Sequence, residues 1–252
     1  MSRGRALLTG GAAAGAAVLV LGSVTGLGGP AAPEPAPSAA TSAPAPDPLP
    51  TPDALPTPSS LPTLGRSASA SASAEPTEVV QAGSGRLRVA PGGSGRSGPG
   101  PLRRYRVQVE GGLGIDADEF AAAVERTLAD PRSWGAEGRL AFRRVSEGPT
   151  DLTVVLASPD TTDRLCLPLD TAGSYSCGVG DTAVINAMRW LEGAQAYEGR
   201  LSAYRQYVVN HEVGHLLGRS HEPCPGRGEP APVMMQQTKG VGACAAQPWP
   251  YG

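Results

Sequence analysis

The sequence is poor in aromatic residues, in histidine and in lysine. Aromatic residues make up 4% of the 252 residues, whereas glycine (34) and proline (26) are abundant, so much of the chain lacks the side chains that build a packed core. Lysine occurs only at Lys239, and we interpret the dominance of arginine as genomic base composition rather than chemistry. The net charge of −2 gives no reason to expect a nucleic-acid partner.

Cysteine is absent before Cys166, and the chain has four in total. This usage is typical of an oxidising compartment and predicts two disulfides. Four cysteines allow three pairings, and sequence proximity favours Cys166–Cys177 with Cys224–Cys244. The lack of cysteine near the N-terminus also excludes a lipoprotein anchor.

The composition of the first hundred residues predicts an export segment followed by a spacer. Residues 1–29 begin with Arg3 and Arg5 and continue as an apolar run over 6–27, which indicates a signal peptide or, if it is not cleaved, a membrane anchor. Residues 30–100 are rich in Pro, Ala, Ser and Gly and predict a disordered linker. Six arginines between Arg86 and Arg106 could contact anionic wall polymers, but a solvated linker is the interpretation we favour. We expect an extracytoplasmic protein, secreted or anchored to the membrane.

Folded structure is expected over residues 101–252. Alternating or apolar runs predict strands at 105–110, 140–145, 152–156 and 182–187. Residues 116–128 predict an amphipathic helix with Phe120, Val124 and Leu128 on one face. Residues 201–217 predict a second helix, apolar nearly all round and therefore buried. A helix among strands of mixed order indicates an α+β domain with a twisted sheet, followed by a loop-rich C-terminal part that the second disulfide would stabilise.

The second helix carries the pattern H-E-x-x-H-x-x-G-x-x-H. His211 and His215 are four residues apart and point the same way, about 40° apart around the helix axis, so both can bind one zinc ion. Gly218 can end the helix in a left-handed turn, which lets His221 return as a third ligand. Three nitrogen ligands leave the fourth position for water, as in catalytic zinc sites. All three histidines of the chain fall on this pattern.

This extended motif resembles that of the metzincin zinc metallopeptidases, which also have a methionine turn downstream. The run 232–237 contains a candidate turn with Met234 or Met235. From Tyr105 to Tyr251 the chain also resembles a bacterial family of secreted or membrane-tethered proteins with a metzincin-like domain. The segments that carry this second resemblance are 142–145, 184–186, 189–190, 204–207, the zinc motif, 231–234 and 248–250. It implies a metzincin-like zincin fold with a zinc cleft between two layers.

The resemblance implies a zinc-dependent peptidase. Glu212 would act as general base toward a zinc-activated water, and Met234 would lie beneath the metal as an apolar floor. Some metzincins have a tyrosine two residues after the turn methionine, where this chain has Gln236 or Gln237. The expected partner is a peptide or protein substrate, wall peptides included, and we expect a monomer. The alternative is a zinc-stabilised cell-envelope binding module without turnover, which would have no need of Glu212.

A peptidase must also hold an extended substrate, for which the edge of a sheet is suited. The run 182–187 is the last strand-like segment before the zinc helix. We therefore expect the backbone of Val184, Ile185 and Asn186 to pair with substrate. The alternative is that this strand is internal and that Asn186 caps the turn before Met188.

Overall fold

An open, mixed β-sheet is the framework of residues 78–252, the part of the chain that the computed structural model describes. Its strands are β1 (Leu87–Val89), β2 (Leu102–Glu110), β3 (Ala141–Arg144), β4 (Leu152–Ala157), β5 (Cys177–Val179) and β6 (Thr182–Asn186). The order is β1-β2-β4-β6-β5, and β3 pairs with β2. The β2–β3, β2–β4 and β4–β6 pairs are parallel, whereas β1 and β5 are antiparallel to their neighbours. The predicted α+β class with a mixed sheet is confirmed.

Apolar side chains cover both faces of the sheet, but unequally. On one face Tyr105, Val107 and Val109 alternate along β2 and join the main hydrophobic core. On the other face a smaller cluster contains Val155 of β4 and Val184 of β6, together with the first disulfide. The central strand β4 is buried along nearly its whole length, as expected for a parallel strand covered on both faces.

Four helices pack around this sheet: α1 (Ala117–Ala129), α2 (Pro159–Leu165), α3 (Ala187–Glu192) and α4 (Leu201–Leu216). Helix α1 begins where the Asp116 side chain accepts hydrogen bonds from the amides of Asp118 and Glu119. It buries Phe120, Val124 and Leu128, as the sequence predicts. Helix α4 is buried over most of its length, which confirms that the motif helix lies inside the domain.

The predicted boundary between linker and domain is wrong, because residues 78–100 are part of the folded structure. Residues of β1 pair with the end of β2, and the segment after β1 runs along β3. There the amides of Ser94 and Ser97 donate to carbonyls of β3, and both hydroxyls accept from β3 amides. A Cβ on Gly100 would collide with the carbonyl oxygen of Gly138. The glycine and serine content that suggests a linker instead permits close backbone packing.

The chain beyond α4 has little regular structure, as expected. The two disulfides are Cys166–Cys177 and Cys224–Cys244, the pairings that sequence proximity favours. The fully buried Gln237 side chain organises the second loop region, because it bonds Tyr197 and the backbone at Pro232 and Gln247. This set of bonds fixes the segment after Met235 against the end of the chain.

The expectations for residues 1–77, which include the export segment and most of the linker, lie outside the described residues. Between residues 78 and 252, the helices are too short or too polar for a membrane span.

Candidate metal centre

The C-terminal end of α4 positions the histidines of the motif. Gly218 adopts a left-handed conformation with φ of 79°. The amide of Gly218 donates to the carbonyl of His215, and the amide of Arg219 donates to that of Gly214. This pair of bonds is the Schellman arrangement that commonly ends a helix. The chain therefore reverses just after the helix, and His221 returns to the face that carries His211 and His215.

The three imidazoles converge as the spacing predicts. One ring nitrogen from each lies within 4.8 Å of those of the other two. The Nε2 atoms of His215 and His221 are 3.1 Å apart. Nitrogen ligands about 2.0–2.1 Å from a tetrahedral metal would be separated by roughly 3.4 Å, so this spacing fits a shared ion. The arrangement could hold a metal ion through three nitrogens.

Backbone carbonyls orient two of these rings. His211 Nδ1 lies 2.8 Å from the carbonyl oxygen of Val233, and His215 Nδ1 lies 2.9 Å from that of Arg219. A carbonyl only accepts, so each Nδ1 carries the proton, and each Nε2 keeps its lone pair for a metal. Hydrogen bonding of the second ring nitrogen is what fixes histidine ligands in metal sites generally.

The electrostatic environment keeps His211 and His221 neutral. Burial lowers the pKa of His211 to about 3, with the other two histidines acting in the same direction and the Val233 hydrogen bond opposing it. Burial also lowers the pKa of His221, as do His215 and Lys239. Neutral imidazole is the form that binds metal ions, so these two rings are ready to coordinate at neutral pH.

Glu212 lies beside the histidines with an unpaired carboxyl group. It is 5% exposed, and nothing between residues 78 and 252 gives its side chain a hydrogen bond or ion pair. Burial raises its pKa to about 8. A nearby cation would favour the carboxylate and lower this pKa. A carboxyl group without a hydrogen-bond partner, facing the cavity next to three convergent imidazoles, therefore fits a site that holds a positive ion.

Met234 is buried and packs against the helix that carries the motif, whereas Met235 is only half-buried. The Met234 sulfur and the Trp134 ring both pack against Gly214 where a side chain would begin. A Cβ on Gly214 would lie 2.7 Å from Trp134 Cζ2 and would overlap the Met234 sulfur. Packing therefore requires glycine at this position, near the C-terminal end of α4.

Tyr207 connects the methionine turn to α4. Its hydroxyl donates to the carbonyl of Met235 at 2.9 Å and accepts from the amide of Gln237 at 2.8 Å. Its ring centroid is 5.3 Å from that of His211. None of the predictions from the sequence gives Tyr207 a role at the site. The helical spacing could have predicted its position near the histidines, because Tyr207 precedes His211 by four residues and so shares its face of the helix.

A cavity of about 360 Å³ opens at the histidines. Its walls include Tyr175, Gly178 of β5, Gln236 and Lys239. Strand β5 lies directly against the motif helix, because a Cβ on Gly178 would be 2.6 Å from His215 Cβ and 2.7 Å from the carbonyl oxygen of Glu212. Neither β5 nor Lys239 was predicted from the sequence as part of the site. A three-residue strand that contains glycine has no periodicity to find.

The prediction that Val184, Ile185 and Asn186 pair with substrate is wrong. These residues form β6, which is hydrogen-bonded to β4 on one side and has β5 on the other, and all three are completely buried. The Asn186 side chain accepts from the amide of Met188 and caps α3, which was the alternative interpretation. Because β5 lies outside β6, the strand that borders the cavity is β5.

Comparison with known families gives a single assignment. Residues 74–251 match the family model described as "Protein of unknown function (DUF3152)", and the chain belongs to this family. The matched range includes residues 78–100, in agreement with the folded start of the domain. No curated protein matches the chain, and no solved structure does.

Proposed function

We propose that the chain is an extracytoplasmic zinc-dependent peptidase. The observation that carries this proposal is the set of three convergent histidines beside the buried, unpaired carboxyl group of Glu212, all in one cavity. The histidines would be the zinc ligands, and Glu212 would be the general base. The two disulfides are compatible with an oxidising, extracytoplasmic location.

Zinc is the metal that suits this donor set, because three imidazoles with an open fourth position are typical of catalytic zinc sites. When bound, zinc supplies a Lewis acid that lowers the pKa of a coordinated water to about 7 and polarises the scissile carbonyl. Glu212 then accepts the proton of the attacking water and delivers it to the leaving amine. Only the carboxylate form of Glu212 can accept this proton, and a bound cation would favour that form by lowering the pKa that burial raises.

At the level of the fold, we propose a metzincin-like zincin domain. Three features of the described residues support it: the three histidines converge, Gly218 ends the helix before the third one, and Met234 packs against Gly214 of the motif. In this arrangement Met234 is an apolar floor and not a ligand.

The substrate backbone would pair with β5 in this proposal. Among the described residues β5 ends the strand order, so one of its edges has no neighbouring strand. An extended peptide that adds to this edge lies beside the helix that carries Glu212 and His215. Lys239 in the same cavity would favour an acidic side chain on the substrate, although Asp170 also lines the cavity and opposes this preference.

Digestion of a broad peptide library by the zinc-loaded and the chelator-treated protein tests the proposal. We expect cleavage with zinc and none after chelation, with the activity restored when zinc is returned. If the zinc-loaded protein binds the metal firmly and cleaves no peptide, the zinc-stabilised binding module becomes the better account.

A further inference from the structure

A second cavity lies beyond the C-terminal end of α4 and is separate from the cavity that contains Glu212. Its volume is about 590 Å³. Three arginines line it, Arg103 from β2, Arg139 from the loop before β3, and Arg219 from the turn after α4. The aromatic rings of Trp134 and Tyr251, with neighbouring leucines, form apolar walls. Nothing in the proposed peptidase mechanism uses this cavity.

The charges of these arginines are incompletely compensated. The Arg103 side chain makes no hydrogen bond or ion pair with any residue from 78 to 252, and the Arg219 guanidinium lies 5.8 Å from the centroid of the Trp134 ring. Arg139 pairs with Glu137 at 3.0 Å, but both side chains are largely exposed, so water screens this pair. The cavity has one acidic residue, Asp151, and its carboxylate already accepts the amide of Arg104 at 2.6 Å.

The combination of three guanidinium groups and aromatic walls specifies a ligand chemistry. A guanidinium group binds phosphate or carboxylate through two parallel hydrogen bonds. A carboxylate offers two oxygens and one charge, whereas a phosphate monoester offers three terminal oxygens and up to two charges, so it suits three guanidinium groups better. The volume exceeds what inorganic phosphate needs, and the apolar walls offer burial to an organic group.

We propose that this cavity is a binding site for a small phosphate monoester with an aromatic or apolar group. The phosphate would engage Arg103, Arg139 and Arg219, and the organic group would lie against Trp134 and Tyr251. The site is independent of the proposed peptidase activity. It nevertheless adjoins the histidines, because the Arg219 carbonyl accepts the hydrogen bond of His215 Nδ1 while its side chain lines the second cavity.

Calorimetric titration of the purified protein with phenyl phosphate, and separately with inorganic phosphate, tests this site. We expect one phenyl phosphate per chain, bound more tightly than inorganic phosphate because only the ester uses the apolar walls. Arg103→Ala and Arg219→Ala should each weaken binding by roughly tenfold or more, since each removes a charge-assisted hydrogen bond. Arg219→Lys should also weaken it, because an ammonium group has no fork.

Arg143→Ala is the matched control, since Arg143 is an exposed arginine that does not line the cavity, and it should leave binding unchanged. Zinc content should stay unchanged in Arg219→Ala, because the bond to His215 uses the backbone carbonyl. The absence of saturable binding would overturn the proposal. So would binding that persists in both alanine variants, since the phosphate would then be held elsewhere, the metal centre included.

Discussion

At the scale of single residues, the sequence predicts that the three histidines of the motif converge, but it does not predict which groups orient their rings. The spacing of His211, His215 and His221 is sufficient to predict their convergence, because a helix and a glycine turn place them by geometry. The groups that orient the rings are the carbonyls of Val233 and Arg219. Every residue has a carbonyl, so no sequence pattern marks these two positions.

Gly214→Ala should destabilise the domain and weaken metal binding. The added Cβ would meet the Met234 sulfur and Trp134 Cζ2 between the two flanking histidines. Overpacking of this kind costs about 1–3 kcal/mol, and urea denaturation would measure it. Gly95→Ala is the control, because a Cβ there meets no atom within 4 Å. Equal stability of the two variants would contradict the packing described for Met234.

Glu110→Gln should lower stability most at neutral pH. The Glu110 side chain is 2% exposed and accepts hydrogen bonds from the amides of Gly85 and Ser158 and the hydroxyl of Thr161. Burial alone would raise its pKa, but these hydrogen bonds outweigh it and leave the pKa below its ordinary value. Glutamine would place an amide donor against these donors, at a cost of about 1–3 kcal/mol.

Because the folded pKa of Glu110 is lowered, its carboxylate stabilises the fold above the ordinary carboxyl pKa, about 4.3, and this contribution disappears as pH falls through the folded pKa. The stability difference between wild type and Glu110→Gln should therefore shrink in acid. Urea denaturation across this pH range measures it. A difference that stays constant with pH would show that the carboxylate charge contributes nothing.

At the scale of elements, long periodic segments were predictable and short ones were not. The predicted helix at 116–128 is confirmed to within a residue at each end, because Asp116 caps it and three apolar residues mark its buried face. Strand β5 was not predicted, because Cys177–Val179 is too short to show an alternation of apolar and polar residues. Without β5, β6 looks like the edge strand of the sheet, and the wrong substrate-binding residues followed from that.

Gly218→Val should weaken metal binding through the backbone alone. No atom lies within 4 Å of a Cβ at Gly218, but its φ of 79° is strained for any β-branched residue. The cost is about 1–2 kcal/mol, and relaxation of the turn would move His221 away from its partners. Gly218→Asn should be milder, since asparagine tolerates this conformation. A competition assay with a chromogenic chelator gives zinc affinity, and equal affinities in both variants would contradict the role of the turn.

At the scale of the whole molecule, the composition of the chain led to a predicted domain start at residue 101, whereas residues 78–100 are also folded. A low-complexity composition predicts a linker because few side chains are available for packing, yet the segment before β2 is held by backbone hydrogen bonds to β2 and β3. Serine and glycine make such bonds as well as any residue, and glycine permits closer approach. Composition therefore underestimates how much of a glycine-rich segment is folded.

A protein that begins at residue 101, the boundary predicted from the sequence, should be much less stable than one that begins at residue 78, because it lacks β1 and exposes the edge of β3. Thermal denaturation followed by circular dichroism compares the two proteins. Equal midpoints would show that residues 78–100 add nothing to the fold.

The measurement that tests the central claim most directly is peptide cleavage by zinc-loaded wild type and Glu212→Gln, with zinc content determined on the same samples. The amide keeps the shape of the side chain but cannot accept the proton, so we expect unchanged zinc and at least roughly a 100-fold loss of cleavage rate. Equal cleavage by the two proteins at equal zinc content would contradict the assignment of Glu212 as the base.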